Sequence, residues 1–202
     1  MIAAARTFLL KDGREALLRS AVPEDAEEIV AFLRQTAGES EFVIRTPGEC
    51  GSYTAEGESA FIEKAAASPR CMVLLCRVGG RLAAGSVITA GKKIKIRHRA
   101  WISICVLREF WGLGIGTELM AEMERFAVES SQILQVELDV IEGNERAVRL
   151  YEKSGFEPVG RIPGAIRLKN GNFRDIITMV KKVGEANPSG KSAGRLDTAR
   201  NK

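Results

Sequence analysis

The segment AWISICVLREFWGLGIGTELM, residues 100–120, constrains the fold most. Its first eight residues are almost unbroken apolar sequence, the pattern of a strand buried on both faces. Three glycines then alternate at Gly112, Gly114 and Gly116. After them Ile115, Leu119, Met120, Met123, Phe126 and Ala127 recur at helical spacing. A strand, a glycine turn and a helix N terminus in series have a physical consequence. The first N–H groups of the helix lack partners, and the macrodipole adds positive charge there. Glycine lets the backbone approach a bulky anion and adopt positive φ. The series predicts a phosphate cradle, although a tight, ligand-free connection has the same pattern. Two phosphate motifs fail outright. No lysine follows Gly116, as a P-loop requires, and a GxGxxG count from Gly112 ends on Thr117.

The remaining chain sets this hinge in an α/β fold. Residues 15–22 predict a strand, and Pro23 with Glu24, Asp25, Glu27 and Glu28 predicts a helix through about Gln35. Residues 36–57 read mostly as loop, and 58–68 as a second helix. Two apolar runs within 71–90 meet at Gly79-Gly80, a hairpin signal. The alternating KKIKIRHR (92–99) predicts an extension of the sheet edge. A strand at 133–141, a helix at 144–156 and a final strand pair complete the order β-α-α-β-β-β-α-β-α-β-β. A hairpin followed by β-α-β alternation gives a mixed sheet. One domain over 1–183 is expected. Residues 184–202 lack apolar periodicity and are rich in Gly, Ser, Asn and Lys/Arg, which predicts a disordered tail.

Composition narrows the class. With 45% apolar and 28% charged residues and no apolar run of about 18, the chain reads as a soluble, cytoplasmic protein without a membrane partner. Four cysteines without CxxC spacing read as reduced thiols. His98 is the only histidine, so a multi-histidine site is excluded and no metal is expected. The net charge of +4 suits an anionic ligand. No aromatic residues interleave with the basic run 92–99, so nucleic acid is not expected as a partner.

Two segments together resemble the GNAT superfamily of N-acetyltransferases. WGLGIG is similar to that family's [Gln/Arg]-x-x-Gly-x-[Gly/Ala] acetyl-CoA signature, with Trp111 standing where Gln or Arg is usual. LDVIEGNERAVRLYEKSGFEPVG (138–160) is similar to the strand and helix that follow it. The resemblance implies a mostly antiparallel sheet of six to seven strands flanked by about four helices, splayed between two central parallel strands, 100–107 and 133–141. It implies acetyl-CoA as co-substrate, with the pantetheine arm along Ile104, Cys105, Val106 and Leu107. The pyrophosphate would rest on the amides of Trp111, Gly112, Leu113, Gly114, Ile115, Gly116 and Thr117. The N–H near Val106 would serve the oxyanion. Asn144 would anchor the pantetheine side and Tyr151 would act as general acid, beside plainer roles as N-cap and core aromatic. A homodimer is a further family-based expectation.

The base is not fixed by this resemblance. The strand before the glycines carries no carboxylate, so His98 one step upstream, Glu41 (with Glu39) in the loop after the first helix, Glu142 and a bridging water all stand as candidates. An alkylamine near pKa 10.4 is deprotonated only about once in 2,500 molecules at pH 7, whereas an α-amine near 7.8 needs far less help. The lack of an obvious base therefore tilts toward a less basic amine. The expected reaction is acetyl transfer to a primary amine of a small molecule or peptide N terminus. A non-catalytic acyl-CoA sensor is the alternative.

Overall fold

A computed structural model of the chain describes residues 3–130 and 132–184. Eight strands are present among them: β1 (Arg6–Leu9), β2 (Glu15–Ser20), β3 (Cys71–Val78), β4 (Arg81–Ala90), β5 (Arg99–Val106), β6 (Gln135–Ile141), β7 (Glu157–Arg167) and β8 (Phe173–Lys182). Four α-helices flank them: α1 (Ala26–Glu39), α2 (Ala55–Ala66), α3 (Ile115–Glu129) and α4 (Glu145–Lys153). The strands form one sheet in the order β1-β2-β3-β4-β5-β6-β8-β7. Every pairing is antiparallel except β5 with β6.

The sheet has one strand more than expected. β1 pairs with β2 across the turn that holds Asp12 and Gly13, and Asp-Gly between apolar runs is itself a hairpin signal. The run 92–99 also departs from its expected extension. Gly91 donates its N–H to the Arg99 carbonyl (2.8 Å), which pinches 92–98 off as a loop containing a 3-10 turn at Ile94–Ile96. Helix α1 continues four residues past Gln35, and α2 starts at Ala55 because Thr54 Oγ1 accepts the Gly57 N–H (3.1 Å) as an N-cap. Residues 185–202, where the disordered tail was expected, lie outside the described residues.

An ionic knot fixes α1 to the sheet. Asp25 accepts from both terminal nitrogens of Arg19 (2.7 and 2.6 Å), from Arg77 (2.9 Å) and from the Val22 N–H (2.8 Å). Burial alone would raise its pKa. The Arg19, Val22 and Arg77 hydrogen bonds outweigh burial and hold it at about 2. On the other side of the sheet, Leu119, Met123 and Phe126 of α3 are fully buried in the core.

Candidate active site

β5 and β6 pair only from Arg99–Gln135 to Trp101–Glu137 and then part. The β4–β5 register shows which groups this leaves free. Gly91 N–H bonds Arg99 O at one end, and Leu107 N–H bonds Ala83 O (3.0 Å) at the other. In an antiparallel ladder alternate residues turn both backbone groups toward one neighbour. The odd-numbered residues of β5 therefore face β4, and Ile102, Ile104 and Val106 face the gap. Within the gap the N–H groups of Ile104 and Val106 have no strand opposite them.

The gap opens into a cleft of about 520 Å³. Of the residues expected to bind the co-substrate, Ile104, Cys105, Val106, Trp111, Gly112, Gly114, Ile115, Gly116, Thr117, Asn144 and Tyr151 line it. Leu107 and Leu113 do not: Leu107 is 1% exposed and packs in the core. Gly114, at φ +100°, is the N-cap of α3, a conformation that side-chain-bearing residues rarely adopt. At Gly116 a Cβ would come within 2.9 Å of Leu150 Cδ2, so glycine is what lets α4 approach α3 here.

Trp111 has a definite role. Its indole N–H donates to the Val106 carbonyl (2.7 Å), and the Arg146 guanidinium lies over its ring, 3.2 Å from the centroid. Arg108 stands 5.4 Å from the same ring. Where the family signature has a polar side chain, this chain has an aromatic platform that carries an arginine to the mouth of the cleft. Lys11, Arg149 and Lys153 line the same mouth, giving it the charge an anion needs.

Asn144 caps α4, with Oδ1 accepting the Ala147 N–H at 3.3 Å, and it also lines the cleft. Tyr151, two turns on, is 8% exposed and 6.2 Å from the Phe156 ring, centroid to centroid. Burial, with a smaller contribution from Cys105, pushes its phenol up to about 12. Against a thiol near 8.5, full proton transfer to a departing thiolate is uphill by about 5 kcal/mol. Tyr151 is thus a firm hydrogen-bond donor that stays protonated at neutral pH.

The far wall comes from the C-terminal end of α1 and residues 40–45. The proposed bases do not converge here. His98 lies at the start of β5, about 23 Å along an extended strand from Cys105, and does not line the cleft. Glu41 is exposed and does not line the cleft. Glu39 lines the cleft, but its carboxylate accepts the Arg108 N–H (2.7 Å) and so clamps α1 to the β5–α3 connection. Glu142 is paired with Arg161 and lies outside. The carboxylate that does face in is Asp139 on β6, exposed within the cleft and hydrogen-bonded by the Thr178 hydroxyl (2.7 Å). Its signal was present in the sequence as a charged residue inside the apolar strand ILQVELDVI. Among the described residues no group of three or more His, Cys, Asp or Glu could hold a metal. No helix among them is long and apolar enough to cross a membrane.

Comparison with known proteins agrees with this geometry. The profile described as "Acetyltransferase (GNAT) family" matches residues 22–156. The L-amino acid N-acetyltransferase of Escherichia coli is 27% identical over 119 residues, 59% of this chain and 73% of that protein. A crystal structure of a GNAT-family acetyltransferase from Streptococcus pneumoniae is 31% identical with a TM-score of 0.80, covering 84% of this chain and 99% of the other. The phosphinothricin acetyltransferase of Sinorhizobium meliloti, solved with AcCoA, shares the fold at 20% identity and a TM-score of 0.74, over 91% and 97% of the two chains.

Proposed function

The chain belongs to the GNAT family of acetyltransferases and is an N-acetyltransferase, and we propose that it moves the acetyl group of acetyl-CoA to a primary amine of a small molecule or peptide N terminus by direct attack on the thioester. The observation that carries this reading is the parting of β5 from β6, with backbone donors on one side and the buried Tyr151 hydroxyl on the other. The amides from Gly112 to Gly116, with Arg146 and its cationic neighbours, hold the pyrophosphate, while those of Trp111 and Thr117 are taken by the Arg108 and Gly114 carbonyls. The free N–H and C=O groups of Ile104 pair with the pantetheine arm. The Val106 N–H donates to the carbonyl oxygen as the amine adds, and Tyr151 donates to the sulfur as the C–S bond breaks. Asp139 takes the proton that the amine nitrogen must lose, directly or through one water.

By name, the Escherichia coli relative acts on L-amino acids, which supports the small-molecule side of this acceptor range. We place the reaction in the cytoplasm, with all four cysteines as free thiols in support. We also propose one catalytic domain ending near residue 183 and a homodimer formed through the β7–β8 hairpin. Ten of the eleven residues of β7 are exposed, and Val159, Ile162 and Phe173 are 62%, 54% and 62% accessible. Pro158, Pro163 and two register shifts blunt the open edge against strand addition, so the contact uses the apolar side chains of the face. A thiol-release assay with acetyl-CoA against amino acids, polyamines, aminoglycosides and N-terminal peptides tests the activity. Absence of both turnover and acetyl-CoA stabilisation would exclude it.

A further inference from the structure

Several arginines that pack against this sheet are matched by carboxylates. Arg6 pairs with Glu118, Arg19 with Asp25, Arg77 with Asp25 and Glu28, and Arg99 with Glu137. Arg45, half-buried on the far wall of the cleft, is different. Its Nε donates to the Leu33 carbonyl (3.4 Å), and one terminal nitrogen donates to Thr36 Oγ1 (3.3 Å) and Cys105 Sγ (3.4 Å). All three acceptors are neutral and all three contacts are long. The other terminal nitrogen has no partner among the described residues, and no carboxylate lies within 4 Å of the guanidinium. Glu58 interacts with it only through space: burial raises the Glu58 carboxyl, and Arg45 pulls it the other way.

Position gives this charge a purpose. Gly85 pairs with Cys105 and faces Phe32 of α1, so Cys105 and Arg45 lie on the α1 side of the sheet. The amide cradle at the N terminus of α3, with Arg146, Arg149 and Lys153, lies on the α3–α4 side and already provides for the phosphates. Cys105 is also the charge neighbour of Tyr151. An anion held by Arg45 would therefore sit close to the reacting centre, on the acceptor's side. A half-buried guanidinium with no carboxylate in direct contact and one terminal nitrogen unpartnered among the described residues matches a carboxylate, which it can take with two parallel hydrogen bonds. Phe42, Val43 and Ile44, on the same segment as Arg45, give this part of the cleft an apolar lining.

We propose that Arg45 is the receptor for a carboxylate on the acceptor, so that the amine acetylated belongs to an amino acid with an apolar side chain. This rests on the transferase reading above. The test is thiol release from acetyl-CoA with L-leucine, L-methionine and L-phenylalanine, each beside its carboxamide and its decarboxylated amine. The expected result is a preference of about 100-fold in kcat/KM for the acid over the amide, carried by KM. Arg45→Gln is expected to erase that preference while acetyl-CoA still raises the melting temperature as in the unaltered protein, and Arg45→Lys is expected to restore part of it. Equal turnover of acids and amides, turnover only of amines without a carboxylate, or a preference that survives Arg45→Gln overturns the proposal and leaves the transferase standing. No turnover and no stabilisation by acetyl-CoA removes the transferase reading itself, and this proposal with it.

Discussion

The cleft has two halves built by different means. The half toward α3 and α4 is made of backbone: the unpaired N–H groups of β5, the amides after Gly112 and the first turn of α3, with Arg146 held over Trp111. The half toward α1 is made of side chains: Arg45, Asp139, Phe42 and their neighbours, set on a connecting segment and on β6. Backbone offers the same groups whatever the residue, so the first half suits a ligand common to a whole family. Side chains differ from chain to chain, so the second half is where one member's acceptor is chosen.

This contrast is sharpest under substitution. The largest effect is expected at Gly114. Valine there would have to adopt φ near +100°, which its branched side chain opposes, and the cradle would lose its shape. Gly114→Val should abolish stabilisation by acetyl-CoA in thermal denaturation and lower kcat/KM about 1000-fold for every amine alike. Loss confined to some amines would break the division between the halves. Next, Tyr151→Phe should lower kcat about 100-fold with KM for acetyl-CoA little changed, measured by steady-state thiol release. Because burial raises the phenol to about 12, its protonated form persists above neutrality, so the unaltered enzyme should show no loss of kcat up to about pH 10 from this group.

A smaller change is expected at Asp139. Asp139→Asn should cost about 10-fold in kcat near pH 7 and less as pH rises and the free amine becomes abundant; a pH–rate profile that keeps the same deficit at pH 9.5 would remove Asp139 as base. Trp111→Phe keeps the platform under Arg146 and deletes the bond to Val106, so a change of only about threefold in KM for acetyl-CoA is expected. The smallest kinetic effect belongs to Asp25, remote from both halves. Its folded pKa lies below the unfolded one, so its contribution is complete above about pH 4 and disappears as pH falls toward 2. Asp25→Asn should therefore remove about 2 kcal/mol of stability in urea at pH 7 and almost none at pH 2, with kinetics unaltered.

The same division explains what could be read in the chain. Glycine spacing and an apolar strand marked the strand–turn–helix hinge, and the family resemblance pointed to Ile104–Leu107, Trp111–Thr117, Asn144 and Tyr151, all of which line the cleft except two. Leu107 and Leu113 fell inside the expected stretch but turn into the core or away from the cleft, a distinction of side-chain direction that a short irregular turn hides. The acceptor wall depends on where a strand runs and how a loop closes. His98 is adjacent to the right strand but at its wrong end, and Glu39 is drawn off by the Arg108 amide. Asp139 was missed because it sits in a strand valued for its apolar neighbours. β1 was missed although Asp12-Gly13 announced the turn, since its four residues are too few to show alternation.

Trp111 and Trp101, the only two tryptophans, stand ten residues apart on either side of the point where β5 leaves β6. Trp101 lies on the zipped part of the strand beneath Arg99, while Trp111 lies in the cleft with its ring near Arg146 and Arg108 and its N–H on the Val106 carbonyl. The molecule thus carries its own optical pair: one indole whose emission follows arrival of the acyl donor, and one that stays as reference. With Trp101→Phe the intrinsic fluorescence becomes a single-site readout of the cleft, and donor occupancy can be titrated without any label.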